Sequence, residues 1–109
     1  MVHTMKLVDF AFKSIKNKEK DIEVRLNEEK RQIIKIGDII EFEHINTKEK
    51  LKVQVISLYR FDTFEELFKR FNHTRLGLKN SDTFNIMYKF YTKEDENKYG
   101  ALGIEIKLL

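Results

Sequence analysis

Cysteine and proline are both absent from the 109-residue chain, and glycine occurs only four times. Without cysteine there are no disulfides and no thiolate metal sites, which fits a reducing compartment. The three histidines, His3, His44 and His73, are scattered along the chain and lack the spacing of metal ligands. We therefore predict no metal site and no cofactor.

Long apolar runs are missing as well. No stretch approaches the roughly 20 apolar residues that span a bilayer, and the opening MVHTMKLVDFAFKSIK has no apolar run before a small-residue cleavage site. No Gly/Ser linker, internal repeat or low-complexity tract divides the chain. We expect one soluble, cytoplasmic domain over residues 1–109 that buries a single modest core, so that one site or face carries the function.

Charge is dense but nearly balanced. Asp, Glu, Lys and Arg make up 36% of the chain, and the formal net charge is +3. This mildly basic balance permits a phosphate-bearing partner without requiring one. Lysines over residues 13–20 and 30–35 flank one predicted strand, where they form either an ordinary solvated surface or a shallow basic rim for RNA.

Alternation of apolar residues predicts five strands. They lie at residues 4–8, 20–26, 39–44, 51–59 and 102–108. The third and fourth should pair antiparallel around an INTKEK hairpin loop, and the last strand is expected to close the sheet against the first.

Helices are predicted between these strands. Asp9 is expected to cap a short helix that buries Phe10, Phe12 and Ile15, and NEEKRQIIK is a polar connection with a helical turn. A second helix opens at Asp62 and Thr63. Its buried stripe is Phe64, Leu67, Phe68 and Phe71. Another helix is predicted over residues 81–91, and KEDENKYG is predicted to be an exposed loop.

These elements predict a small α+β domain built on a curled antiparallel sheet or barrel. Its aromatic stripes at helical spacing indicate core packing. Tyr59 or Tyr99, each at a strand end, offers a ring that could stack on a base.

The strand KDIEVRL, at residues 20–26, carries the candidate site. When its apolar residues face a core, Asp21, Glu23 and Arg25 share the opposite face. That face either meets water or is roofed, in which case Glu23 and Arg25 form a desolvated pair that indicates a site. Arg25 then suits a phosphate, carboxylate or base edge, and Glu23 accepts from a ring NH or amino group. Lys20 joins them only if the strand begins after it.

Several motifs resemble the ASCH domain, a member of the PUA-like superfamily. The most specific is K-x-x-E-x-R at Lys20, Glu23 and Arg25. Supporting motifs are G-D-x-I-x-F at residues 37–42, F-x-E-L at 64–67 and Y-G-x-x-G-I at 99–104.

The resemblance implies a β-barrel of five to six strands, mixed or antiparallel, with two to three flanking helices. It also implies a cleft lined by the K-x-x-E-x-R strand that binds RNA or a modified nucleoside through Lys20, Glu23 and Arg25.

The resemblance leaves alternatives open. Some bacterial ASCH proteins hydrolyse N4-acetylcytidine, with a Lys base and a Thr nucleophile at the positions of Lys20 and Glu23, assisted by a Glu from after the central strands. Glu23 replaces that Thr, and a carboxylate substitutes poorly for a hydroxyl that must be acylated. Glu65 and Glu66 are nearby candidates for the third residue, but are more simply helix-start residues. A further ASCH group is linked to ribonuclease activity. A protein-interaction module without a small ligand is the third class.

Overall fold

The computed structural model describes residues 1–79 and 81–109 as an α+β domain around one curled, five-stranded mixed sheet. The strands are β1 (Val2–Leu7), β2 (Ile22–Leu26), β3 (Ile39–His44), β4 (Lys50–Phe61) and β5 (Ala101–Leu108). The α-helices are α1 (Asp9–Lys16), α2 (Glu29–Gln32), α3 (Phe64–Arg70) and α4 (Lys93–Tyr99), and a 3₁₀ helix covers Phe84–Lys89. Every helix in the described part of the chain falls short of the length and apolar character that a membrane span requires.

The sheet order is β1-β3-β4-β5-β2, which leaves β1 and β2 at the two edges. The predicted β3–β4 hairpin is confirmed as antiparallel, and β1 pairs with β3 in parallel. The predicted pairing of the last strand with the first is wrong, because β5 lies between β4 and β2 and has no free edge. The curl therefore brings β1 and β2 near each other without joining them, and the result is a half-barrel.

Two apolar cores lie on opposite faces of the sheet. The first fills the inside of the curl and includes Phe12, Phe42, Ile40, Val53, Leu102 and Ile104. The second lies under α3 and includes Ile22, Val24, Leu26, Phe64, Leu67 and Leu76. The predicted apolar stripe of β2 thus packs against α3. Because directly opposed residues of an antiparallel pair share a face, Glu23, which lies opposite Ile104, points into the curl.

Helix α1 buries Phe12 and Ile15 as predicted, but the predicted burial of Phe10 is wrong. Phe10 is 55% exposed, since two residues turn a helix by about 200° and place it opposite Phe12. Asp9 is also the first helical residue instead of the cap, which is Val8. The Asp9 carboxylate lies 2.8 Å from Nε2 of His44.

The chain after α3 differs most from the predictions. The predicted helix over residues 81–91 is only a 3₁₀ helix over its middle, and the predicted KEDENKYG loop is helix α4. Thr92 caps α4 by accepting from the Asp95 amide at 3.1 Å. Buried Glu96 accepts from the Phe64 amide and the Tyr88 hydroxyl, both at 2.7 Å, so α4 is fixed by contacts distant in sequence.

Candidate ligand-binding cavity

Lys20, Glu23 and Arg25 form one ion-paired cluster inside the curl. Oε1 of Glu23 lies 2.9 Å from Nζ of Lys20, and Oε2 accepts from Nε of Arg25 at 2.7 Å. Glu23 is only 4% exposed, and the Arg25 side chain is 13% exposed. The charged face of β2 is therefore roofed, and the structure brings all three residues together.

Lys20 reaches Glu23 because β2 begins at Ile22, after the lysine. The chain just before the strand is held by the carbonyl of Arg75, which accepts from the amides of Asp21 and Ile22 at 3.0 and 2.9 Å. Gly77, in the same loop as Arg75, lies against the Lys20 stem. A Cβ at Gly77 would fall 2.7 Å from Cδ of Lys20, so this glycine leaves the space that directs the amine inward.

Asp21 does not share the site, contrary to the predicted grouping with Glu23 and Arg25. It precedes the strand, and its carboxylate accepts from Nε and Nη2 of Arg75 at 3.0 and 3.2 Å. Arg75 also lies 3.5 Å from Glu105 and over the ring of Phe71. The Asp21–Arg75 pair therefore anchors the loop that covers the cluster.

Arg25 also spans the open seam of the half-barrel, which is the gap between the edge strands β1 and β2. Its Nη2 donates to the carbonyl of Lys6 in β1 at 2.9 Å. The carbonyl of Leu7 accepts from the Ile45 amide on the β3 side. Since neighbouring carbonyls in a strand point to opposite sides, the Lys6 carbonyl faces the free edge. One guanidinium thus links the acid of β2 to the backbone of β1.

The electrostatics of the cluster keep Glu23 ionised. Burial alone would raise the pKa of Glu23, but the charges of Lys20 and Arg25 outweigh it and lower the pKa to about 2. Burial alone would lower the pKa of Arg25, but the Glu23 carboxylate raises it above its ordinary value. Two cations against one anion leave the cluster with a net positive charge.

A cavity of about 220 Å³ opens beside the cluster. It is lined by residues from the end of β1, the start of α1, β2, the 76–78 loop and the stretch 86–91. This volume is smaller than the roughly 300–1,000 Å³ typical of drug-sized sites, so it suits one planar ring. Two phenylalanines on its wall are exposed to solvent, Phe10 at 55% and Phe90 at 61%.

The aromatic rings at this cavity were missed by the sequence predictions, which named Tyr59 and Tyr99 instead. The Tyr59 hydroxyl donates to Glu105 at 2.8 Å, and Tyr99 lines a separate surface depression. The signal that could have identified Phe10 is its position on the helix face opposite Phe12 and Ile15. Tyr91 also lines the cavity, and its hydroxyl lies near the Arg25 guanidinium.

The cavity offers hydrogen-bond donors and apolar walls, and its described residues supply few catalytic groups. Lys20 and Arg25 retain N–H groups beyond those bonded to Glu23 and Lys6. Among the described residues that line it, Glu23 is the one carboxylate and no serine or threonine is present. Glu65 and Glu66 lie elsewhere, because Glu65 pairs with Lys69 at 3.7 Å and Glu66 lines another depression.

Each histidine makes a polar contact with another residue in the part of the chain that the structure describes. His3 lies 2.8 Å from Asp38, His44 lies 2.8 Å from Asp9, and Nε2 of His73 lies 3.1 Å from the carbonyl of Asp82. Across residues 1–79 and 81–109, no group of three or more His, Asp or Glu residues is arranged to hold a metal ion.

Comparison with known proteins identifies relatives across the whole fold. The hypothetical protein PH0355, known from a crystal structure, is 33% identical in sequence to this chain over 100% of both chains, with a TM-score of 0.88. Protein PF0455 from Pyrococcus furiosus, known from a solution structure, is 34% identical in sequence to this chain. The match covers 100% of this chain and 98% of that chain, with a TM-score of 0.78.

A more distant structure is that of a mutant of ZmASCH from Zymomonas mobilis. It is 12% identical over 97% of this chain and 67% of that chain, and its TM-score of 0.65 supports the fold alone. No curated protein matches the chain. The ASCH domain family matches over residues 5–109, and the protein therefore belongs to the ASCH domain family.

Proposed function

We propose that this ASCH domain binds a nucleobase, presented by RNA or by a modified nucleoside, in the cavity beside Lys20, Glu23 and Arg25. The observation that carries the proposal is a buried carboxylate held between two cations on the wall of a ring-sized, mainly apolar cavity. Buried ion pairs are costly and add little net stability, which favours a role beyond packing. RNA binding has been proposed for ASCH domains, which agrees with this assignment.

The chemistry of the walls suggests how a base enters. The N–H groups of Lys20 and Arg25 suit the carbonyl oxygens of a pyrimidine or purine edge, and the free lone pairs of Glu23 suit an amino group or ring NH. Phe10 and Phe90 supply exposed rings on which a base can stack, as is common in single-stranded RNA recognition.

Hydrolysis receives less support from the same geometry. Acyl transfer to the protein needs a nucleophile, and the described residues of the cavity wall include no serine or threonine. Both Glu23 oxygens already bond to cations, and the Lys20 amine donates to Glu23. A charged face open to water would favour a protein-interaction module without a small ligand, whereas Glu23 is buried.

The test is a binding panel of the four common ribonucleosides, N4-acetylcytidine and a short single-stranded RNA, followed by NMR chemical-shift perturbation. We expect saturable shifts around Glu23 and Arg25 for at least one compound. Phe90→Ala should weaken that binding about tenfold, since a stacked base is worth roughly 1–3 kcal/mol. Ile36→Ala removes an equally exposed apolar side chain outside the cavity and should bind as the parent does.

Glu23→Gln provides the second arm of the test, with its folding checked by circular dichroism. We expect it to lose the same ligand, while Glu19→Gln at an exposed position keeps it. The proposal is wrong if no compound binds, or if Phe90→Ala and Glu23→Gln both bind as the parent does. Release of cytidine from N4-acetylcytidine, monitored in the same samples, would instead identify a hydrolase.

A further inference from the structure

A second surface cavity, a groove, adjoins the bridge between Arg25 and the Lys6 carbonyl. It has a volume of about 510 Å³ and is lined by residues of β1, β3 and the start of β4, together with Arg31 from α2. Lys6 and Arg25 line both this groove and the ring-sized cavity. The two cavities are therefore neighbours that share Lys6 and Arg25.

Arg31 lies in this groove in an unusual electrostatic position. Its side chain is 14% exposed, and its Nε is buried with no hydrogen-bond partner among the described residues. Oε1 of Glu28 is 3.9 Å from that nitrogen, beyond hydrogen-bond distance. Burial lowers the pKa of Arg31, and the positive charge of Arg25 lowers it further. Buried polar groups in proteins nearly always have a partner, so the Arg31 guanidinium has hydrogen-bonding capacity that the described residues leave unused.

The charges around the groove favour an anion as that acceptor. Its basic lining residues are Lys6, Arg25, Arg31 and Lys50, and its acidic ones are Glu41 and Glu43. Lys50 is 3.7 Å from Glu41, so these two charges offset each other. Lys6, Arg25 and Arg31 still outnumber Glu43 in the groove, and Arg25 also pairs with Glu23. The two guanidinium groups suit the tetrahedral oxygens of a phosphate.

We propose that this groove binds a phosphate group between Arg25 and Arg31, and that the ligand is therefore a nucleotide or RNA strand rather than a free nucleoside. The base lies in the ring-sized cavity and the phosphate lies across the seam, with Arg25 contacting both. The position of the base rests on the proposed function, whereas the phosphate subsite rests on Arg31 and the groove alone. A phosphate would give the Arg31 guanidinium an acceptor and reduce its repulsion with Arg25.

The first experiment titrates the protein with inorganic phosphate at constant ionic strength and follows the Nε–H resonances of Arg25 and Arg31. We expect saturable shifts of both resonances in the parent. Arg31→Met should abolish the shift at Arg25. Lys30→Met removes one positive charge from the same helix at an exposed position and should leave both shifts intact. Shifts that do not saturate, or that Lys30→Met weakens as much as Arg31→Met, would overturn the subsite.

The second experiment compares cytidine and N4-acetylcytidine with their 5′- and 3′-monophosphates. We expect a monophosphate to bind at least about tenfold tighter than its nucleoside, and Arg31→Met to remove this advantage without changing nucleoside affinity. Equal affinity of nucleoside and monophosphates overturns the subsite and leaves the proposed function standing. Arg31-dependent binding of inorganic phosphate with no binding of any nucleoside or nucleotide supports an anion site and overturns the proposed function.

Discussion

Glu23 is stable as a buried ion because its two oxygens contact different cations. Desolvation of a carboxylate costs several kcal/mol in a protein interior. The ammonium of Lys20 and the guanidinium of Arg25 offset that cost, as the lowered pKa of Glu23 shows. Removal of the carboxylate would leave two buried cations without their counter-ion. Glu23 is therefore needed for the stability of the cluster as well as for any ligand.

The pH dependence of stability should reveal this pair. The pKa of Glu23 is about 2 in the fold against 4.5 for an unperturbed glutamate, so its stabilisation is complete above pH 4.5 and is lost as the pH falls towards 2. We expect Glu23→Gln to reduce the free energy of unfolding by about 3 kcal/mol at neutral pH. This difference should shrink on acidification, because the parent then also loses the charge.

Chemical denaturation of both proteins at several pH values measures the difference. Asp38, whose pKa is likewise lowered to about 2, chiefly by its hydrogen bond to His3, is present in both proteins and cancels. Glu19→Gln, at an exposed position, serves as the control and should change stability little. A difference between parent and Glu23→Gln that stays constant from neutral to acidic pH would contradict the ion-pair account.

Gly77 and Gly37 form a matched pair for testing how Lys20 is positioned. Both have positive φ, +72° and +93°, but a Cβ at Gly77 would collide with Lys20, whereas one at Gly37 meets nothing within 4 Å. In each alanine variant, backbone strain should reduce the free energy of unfolding by about 1 kcal/mol. In Gly77→Ala, the collision with Lys20 should reduce the free energy of unfolding by roughly 1–3 kcal/mol more. It should also shift the NMR signals of the Lys20 side chain. Equal losses and unchanged Lys20 signals would argue against a positioning role for Gly77.

Residue-level predictions succeeded where strand alternation decides the outcome. Period-two patterning correctly placed Glu23 and Arg25 on one face, since a strand leaves no other choice. The contact of Lys20 with Glu23 depends on where β2 begins and on the space above Gly77, which are tertiary features. The groove around Arg31 likewise depends on the approach of α2 to β1, which local sequence does not encode.

At the scale of elements, α3 and α4 are joined through a single buried carboxylate. Thr63 caps α3 by accepting from the Glu66 amide at 3.1 Å, and Glu96 of α4 accepts from the Phe64 amide at 2.7 Å. Glu96 also accepts from the Tyr88 hydroxyl. The pKa of Tyr88 is raised to about 12, mainly by burial and secondly by this hydrogen bond. The helix start is thus completed by a residue 32 positions away in sequence.

We expect Glu96→Ala to destabilise the fold by about 2–3 kcal/mol, because it leaves the buried Phe64 amide without an acceptor. Glu94→Ala, in the same helix but at an exposed position, should change stability by less than about 0.5 kcal/mol. Urea denaturation of the two variants provides the comparison. Similar small losses in both would mean that Glu96 makes no specific contribution to the α3 start.

The same contact explains why α4 was predicted to be a loop. KEDENKYG has no apolar stripe, and its one buried residue within the helix is a glutamate. Helix α3, by contrast, was predicted correctly because its cap and its apolar spacing agree with each other. Elements stabilised by their own pattern were predictable here, and the element held by distant polar contacts was not.

At the scale of the whole molecule, the fold class was predictable but the strand order was not. Alternation predicted five strands and a curled sheet, and the β3–β4 hairpin followed from its short loop. The parallel pairing of β1 with β3 spans α1, β2 and α2, and no local signal specifies it. That pairing decides where the sheet stays open, and hence where the cavity and the groove lie.

The open seam leads to a prediction about the stability of β1. Along its free edge, β1 receives the hydrogen bond from Arg25 to the Lys6 carbonyl, while its other edge pairs with β3. We expect backbone amides of β1 to exchange with deuterium faster than those of β4 and β5, which are paired on both sides. Arg25→Lys keeps a cation near Glu23 but lacks the fork that also reaches β1.

Hydrogen–deuterium exchange should therefore show that Arg25→Lys accelerates exchange in β1 more than in β4 or β5. Arg60→Lys makes the same chemical change at an exposed arginine of β4 and should leave the β1 rates unchanged. Because local opening reports the free energy of that segment, a selective effect on β1 would assign the loss to the seam. Uniform acceleration across all five strands would mean that Arg25 supports the global fold instead of joining its two edges.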